Sequence, residues 1–336
     1  MALLCGSLDG LYRFSNDSFE QTETVLNGRS DAYRFDHTDV LFARGDGELY
    51  RSLDEGVTWL PVETPENDVK EIQLSPDGKT LYIGLYPPAR LYSCEFDSTW
   101  QDHQSDEPIE PDWHERDGFP TFEPVYQYDP EGDRTRIVRE RGAAIHDLRV
   151  HPEVPSRLVA GIEPAGLYVS DDRGKTWVPR RDGLHDDVHD ITIMGPDEYL
   201  VATGQGLYHT SDAGQSWTRL DTDQTYFEHT FFHSLLVHDE ALYTAAAGGS
   251  PVSWRGEHGA NAVLLRSTNR GQSFQHESYP GGPAEFVLSW AVLEDRLLAG
   301  TMAQSWDDPG TSAARVIKRS DDGQWQTAGT VPAGVV

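Results

Sequence analysis

Three histidines recur in one short phrase, as His146-Asp147, His189-Asp190 and His233-Ser234. Imidazoles held at one height on neighbouring strands can ligate a divalent transition metal such as zinc, iron or copper. Without a metal, the same groups can move protons. Neighbouring residues of a strand point to opposite faces, so either the histidines or Asp147, Asp190 and Ser234 face a shared space. The competing reading is that the phrase belongs to a repeat whose members hydrogen-bond across adjacent units. A second set joins aromatic rings to charges, in Trp254-Arg255-Gly256-Glu257-His258 and Trp306-Asp307-Asp308. Exposed rings beside polar groups can stack on a sugar or grip a peptide, or they can seal loops against the body of the fold. The acidic run Asp106, Glu107, Glu110 and Asp112 has the oxygen ligands calcium takes, but in a chain this acidic it reads first as a solvated loop. No cofactor is firmly implied.

The elements that must position these groups are set by another repeat. Ser170, Asp172, Gly174 and Trp177 space out Ser-x-Asp-x-Gly-x-Thr-Trp, which returns as Ser52, Asp54, Gly56 and Trp59 and as Thr210, Asp212, Gly214 and Trp217. Weaker copies run from Ser267 to Phe274 and from Ser320 to Trp325. Ser and Asp side chains bond to their own turn, Gly takes a positive φ, and Trp buries a large ring, so each copy is a structural hairpin between two strands. Upstream anchors fall at Tyr12, Tyr50, Tyr92, Tyr168, Tyr208, Leu265 and Ile317, at intervals of 38, 42, 76, 40, 57 and 52 residues. A period near forty with four short strands per unit implies an all-β, seven-bladed β-propeller. One domain then spans 1–336, with a long rim insertion at about 100–142 filling the widest interval. The chain enters partway through its first blade, so ring closure between N- and C-terminal strands is expected, with the stretch near Thr330 to Val336 supplying the missing inner strand. Aligned on apolar positions, Tyr33-Arg34, Lys70-Glu71 and Leu288-Ser289 match the three histidine phrases. The insertion, Ala247 to Ala262 and Met302 to Ala314 are expected on one rim, with the hairpin boxes on the opposite one.

These boxes resemble the Asp-box (BNR) repeats of the sialidase-like propeller superfamily, and the likeness runs over nearly the whole chain. The resemblance implies the fold. It does not imply one activity, because propellers sharing the box do unrelated work. A sialidase would bring three arginines around a substrate carboxylate, the first in an Arg-Ile-Pro phrase near the start. That phrase is missing here, and Arg44, Arg90 and Arg255 form no recognisable trio.

Composition narrows the partners. The chain has 56 acidic and 27 basic residues and a net charge of -29. Only four of the basic residues are lysines, Lys70, Lys79, Lys175 and Lys318. The balance resembles proteins of salt-loving archaea, whose charged surfaces are screened at molar salt. Nucleic acid and anionic membranes both call for a basic footprint, which is absent, so neither is expected as a partner. No leader or membrane-length apolar run is visible, and Cys5 and Cys94 fall in different blades, so the cytoplasm is expected. The reading that emerges is a non-catalytic scaffold binding a protein, small molecule or carbohydrate through the long-loop face, at Trp254, Arg255, Glu257, His258 and Trp306. The alternatives are a metal-dependent enzyme using His146, His189 and His233, and a sialidase-like glycoside hydrolase.

Overall fold

The computed structural model describes residues 2–14, 19, 22–86, 88–102, 108–121, 126–127, 137–138, 143–220, 229–254, 259–302 and 314–331. Seven antiparallel blades surround a channel as a β-propeller. The first blade has three described strands, Leu3–Gly6, Gly10–Phe14 and Thr22–Asn27. The other six have four each, and their inner strands are Ser30–Tyr33, Val69–Leu74, Ala144–Val150, Val188–Ile193, Phe231–His238 and Phe286–Leu293. The second blade begins at Ser30, three residues before Tyr33. Second strands such as Leu158–Glu163 are wholly apolar in their buried part because both faces meet another blade.

The Asp boxes fold as their residue types require. In the fourth blade Ser170 Oγ accepts from the Gly174 N–H at 2.8 Å, and Asp172 accepts from the Thr176 N–H at 2.8 Å and its hydroxyl at 2.6 Å. Gly174 has φ +81°, the left-handed conformation that a side chain resists. The boxes at Ser52 and Thr210 repeat these bonds. Trp217 is 8% exposed and its Nε1–H donates to the Arg180 carbonyl, tying the fifth blade to the fourth.

Two expectations change. Thr330 and Val331 belong to the outer strand of the seventh blade, Trp325–Val331, where they pair with Arg315 and Ala314. They therefore do not supply the inner strand of the first, and residues 332–336 lie outside the described residues. The insertion also divides. His114–Glu115 pairs with Ser93 and Tyr92 as the outer strand of the third blade. Phe96 and Trp113 thus bound a lengthened link whose described ends lie at the box end, and Arg116 and Ala143 bound the link to the next inner strand. Trp100 fills the box tryptophan's place, packed on Phe42 and Phe96, and Trp113 Nε1–H donates to the Glu63 carbonyl. This first half laces the third blade to the second.

Candidate functional site: the channel mouth

The mouth is the end at which each inner strand begins, and all three repeated histidines lie there. The ladder between first and second strands slips at one repeated place, between Val69 and Glu71, Ile145 and Asp147, Val188 and Asp190, Phe232 and Leu235, and Val287 and Ser289. A bulge leaves one residue unpaired and re-aims the side chains around it. The residues extruded are Lys70, His146, His189, His233 and Leu288, so strict alternation fails at this height. Both members of each phrase are brought to the mouth.

The residue after each bulge forms a second tier. Glu71 pairs with Gly84, Asp147 with Gly161, Asp190 with Ala202 and Ser289 with Gly300. In the second blade, which has no bulge, the counterpart is Asp31 opposite Arg44. Asp31 therefore replaces Arg34 in the alignment expected from sequence. Gly84 and Gly161 are small because the next blade presses on them, as a Cβ at Gly161 would come within 2.5 Å of Val188 Cγ1.

The acidic tier fastens blade to blade. The Ile191 N–H donates to Asp147 Oδ2 at 2.6 Å, and the Leu235 N–H donates to Asp190 Oδ2 at 2.6 Å. Arg149 donates to Asp190 at 2.9 Å and to the Ile191 carbonyl at 2.9 Å, and lies 3.1 Å from Asp147. Burial pushes Asp147 up to about 8, with Asp190 adding to it, and pushes Glu71 well above the carboxylate range, with Asp147 adding. Lys70 is pulled down to about 8 by burial and by Arg44 and Arg29. Ser234 stands where the next acid would be, and its buried hydroxyl has no hydrogen-bond partner among the described residues.

The imidazoles form a ladder along the wall. Ring centroids are 5.7 Å apart for His146 and His189 and 5.5 Å for His189 and His233. His189 Nδ1 is 2.7 Å from the Phe232 carbonyl oxygen and His233 Nδ1 is 3.3 Å from that of Leu288, so each Nδ1 is the donor to the next blade. His146 Nε2 faces Glu163 at 2.5 Å, and His189 Nε2 faces Asp187 at 3.3 Å. Burial would lower His189, but Asp187 and the Phe232 carbonyl outweigh it and its pKa is raised. His233 is pushed down to about 3, first by burial and then by His189 and His146. A zinc, iron or copper site needs donor atoms converging at about 2.0–2.3 Å. These rings stand side by side, with the Nδ1 atoms of His189 and His233 taken by the wall, and no group of three His, Cys, Asp or Glu able to hold a metal occurs among the described residues.

Of the aromatic candidates, Trp254 is 3% exposed and wedged edge-on between Phe231 at 5.9 Å and Phe286 at 5.1 Å. Its Nε1–H donates to the Gly249 carbonyl at 2.8 Å. It seals the 247–262 loop to the body of the fold, so the expectation of an exposed stacking ring fails for it. Arg255, Glu257, His258 and Trp306 lie outside the described residues, as do Asp106 and Glu107. Glu163, Asp187 and Asp31 were missed by sequence reasoning. Glu163 lies on the strand paired with that of His146, Asp187 two residues before His189 and Asp31 on the second blade's inner strand, so no common spacing marked them.

A BNR/Asp-box repeat model matches residues 168–179, which contain the box of the fourth blade. That box sits in a seven-bladed propeller whose second and fifth blades carry the same turn. No curated protein matches it in sequence. Among solved structures, this propeller is similar to the GH74 enzyme of Niastella koreensis, at 16% identity and TM-score 0.57, over 87% of this chain and 44% of that one. The GH74 xyloglucanase of Xanthomonas campestris is similar at 17% identity and TM-score 0.57, over 86% of this chain and 43% of the enzyme. The Asp-box propeller thus spans less than half the length of those enzymes. A candidate 6-phosphogluconolactonase of Bacteroides uniformis is similar at 11% identity and TM-score 0.62, over 99% and 96% of the two chains. At these identities the likeness is one of fold.

Proposed function

We propose that this propeller is a non-catalytic binding scaffold that takes its ligand, a protein segment or a carbohydrate, over the channel mouth. The observation that carries the proposal is the contrast in how polar groups are used. Each box closes on itself, whereas at the mouth the partly exposed Glu163 and Asp187 face the imidazoles of His146 and His189, the second of which is tied to the wall through its Nδ1. Such pairs are anchored yet open to donors such as sugar hydroxyls, amides or lysine and arginine side chains. Arg255, Glu257, His258 and Trp306 are proposed as further contacts to the same ligand. The protein is proposed to work in the cytoplasm at high salt, a reading supported by the net charge of -29 and two free buried cysteines. Retention of native fluorescence after dialysis to low salt would remove the salt requirement.

The test is a peptide array and an oligosaccharide array, each probed in molar salt with the wild type and a Glu163→Ala/Asp187→Ala variant. Losing one charge-assisted hydrogen bond of about 1.5 kcal/mol should weaken binding about tenfold, with the thermal midpoint little changed. Equal binding by both proteins would move the ligand away from the mouth. Since the likeness to GH74 enzymes speaks to fold alone, steady hydrolysis of a chromogenic glycoside would replace the binding reading with a catalytic one.

A further inference from the structure

The wall fixes the tautomers of two mouth histidines, and with them what the imidazole ladder offers a ligand. A carbonyl oxygen can only accept, so His189 Nδ1, 2.7 Å from that of Phe232, and His233 Nδ1, 3.3 Å from that of Leu288, each carry their ring's hydrogen. In the neutral rings Nε2 is then a lone pair. The rings are stacked, with 5.5 Å between centroids and 30° between planes, so both lone pairs leave the wall on the same side. Beside them Asp187 Oδ1 is buried, lies 3.3 Å from His189 Nε2 and receives no hydrogen bond from the described residues. A carboxylate oxygen facing the lone pair of a neutral imidazole makes two acceptors with no donor between them, an arrangement that costs free energy when buried.

Resting on the reading that the ligand sits over the channel mouth, we propose that this is a site for a primary ammonium group, of a lysine side chain or a small aliphatic amine, donating to His189 Nε2, His233 Nε2 and Asp187 Oδ1. An ammonium has three donors and no acceptor, whereas a sugar hydroxyl has one donor and leaves the other acceptors unmet. Its donors sit on one compact atom, which suits acceptors crowded around a 3.3 Å contact better than the planar fork of a guanidinium. The site also has an internal competitor, the proton of His189. Burial opposes that proton, but Asp187 and the Phe232 carbonyl outweigh burial, and the protonated ring turns its Nε2–H to Asp187 and closes the site. The titratable groups facing His189 are Asp187 from its own blade, His146 and Glu163 from the fourth and His233 from the sixth, with Asp190 facing His233 in turn. Burial and the other two imidazoles hold His233 at about 3, so its Nε2 stays an acceptor while His189 titrates. The amine therefore binds more tightly as pH rises through the raised value of His189, by at most about tenfold per pH unit.

The test is an NMR titration of the wild type in molar potassium chloride, read at the ring nitrogens of isotope-labelled histidine. The probes are Nα-acetyl-lysine methylamide, n-butylamine and the N-trimethylated form of each, which keeps the charge and loses the donors. The primary amines should shift the Nε2 signals of His189 and His233, with a Kd that falls as pH rises, and the trimethylated forms should shift neither. Binding of the lysine probe alone would assign the site to a peptide, and binding of n-butylamine alone to a free amine. Equal binding of primary and trimethylated probes, or an affinity indifferent to pH, would overturn the ammonium site. So would silence of both rings with every probe, and if the Glu163→Ala/Asp187→Ala variant still lost its array ligand, the mouth reading would stand without it. An array ligand indifferent to that variant would remove the mouth reading and this inference together.

Discussion

The two ends of this propeller solve the same problem in opposite ways. Within each Asp box the turn's own Ser, Asp and Gly groups are satisfied within four residues, as when Asp172 bonds Thr176 and Ser170 bonds Gly174, and it is the Trp217 indole that reaches a neighbouring blade. At the mouth the corresponding bonds cross to the next blade, 44 residues on for Asp147 with Ile191 and 45 for Asp190 with Leu235. The first arrangement makes each hairpin autonomous. The second couples blades, so a change in one is felt in its neighbour.

Three measurements sharpen or break this contrast. The largest effect is expected at the box end, where Trp217→Ala empties a site between two blades and removes the bond to Arg180. Chemical unfolding in molar salt should show a loss of about 3–5 kcal/mol; a loss near zero would make the box tryptophan decorative. Next comes Asp190→Ala, which leaves the buried Leu235 N–H without its acceptor and Arg149 without one of its partners. It should cost about 2–3 kcal/mol and lower the cooperativity of unfolding, which a substitution at Asp172, bonded only within its own turn, should not do.

The smallest effect separates the ends by pH. Because His233 is held at about 3 against an ordinary 6.5, the unfolded chain takes up a proton that the folded chain refuses, and stability is lost as pH falls from 6.5 towards 3. His189, whose value is raised, acts oppositely: its contribution is present below 6.5 and fades as pH rises through the raised value. Asp147, raised to about 8, also favours the folded chain on acidification. The difference between wild type and His233→Asn isolates the first term. The variant should gain about 2 kcal/mol on the wild type between pH 7 and pH 5, read from paired unfolding curves. The box carboxylates Asp172 and Asp212, held near 2 by their bonds to Thr176 and Ser216, should show their losses only below about pH 4. A constant difference across that window would mean that His233 is not shielded from protons.

What could be read in advance follows the same division. Boxes, anchors and blade number are written in contacts within a few residues, so a single sequence displays them. The mouth is written in contacts one repeat apart, and it came through only where neighbouring blades kept the same residue types, as at His146, His189 and His233. The bulges were invisible because they change where a side chain points without changing its apolar pattern. In the second blade the half-buried Tyr33 and Phe35 suggested a strand start three residues late, so Arg34 took the place of Asp31. The outer strand of the third blade was missed because His114 and Glu115 are both exposed and leave no alternation to detect. Trp254 shows a further limit, since a tryptophan flanked by charges reads the same whether it faces solvent or a neighbouring ring.

The forward-reaching carboxylates have a mechanical consequence. They clamp the fourth wedge to the fifth and the fifth to the sixth, then give way to Ser234 and Ser289, whose shorter arms hold nothing across the next gap among the described residues. The hub is braced by carboxylates on one side and, on the other, by the longer 3.3 Å bond of His233 to the Leu288 carbonyl, which makes that arc the slacker. A guest that must widen the bore will spread it along the slack arc, from the sixth wedge round to the first.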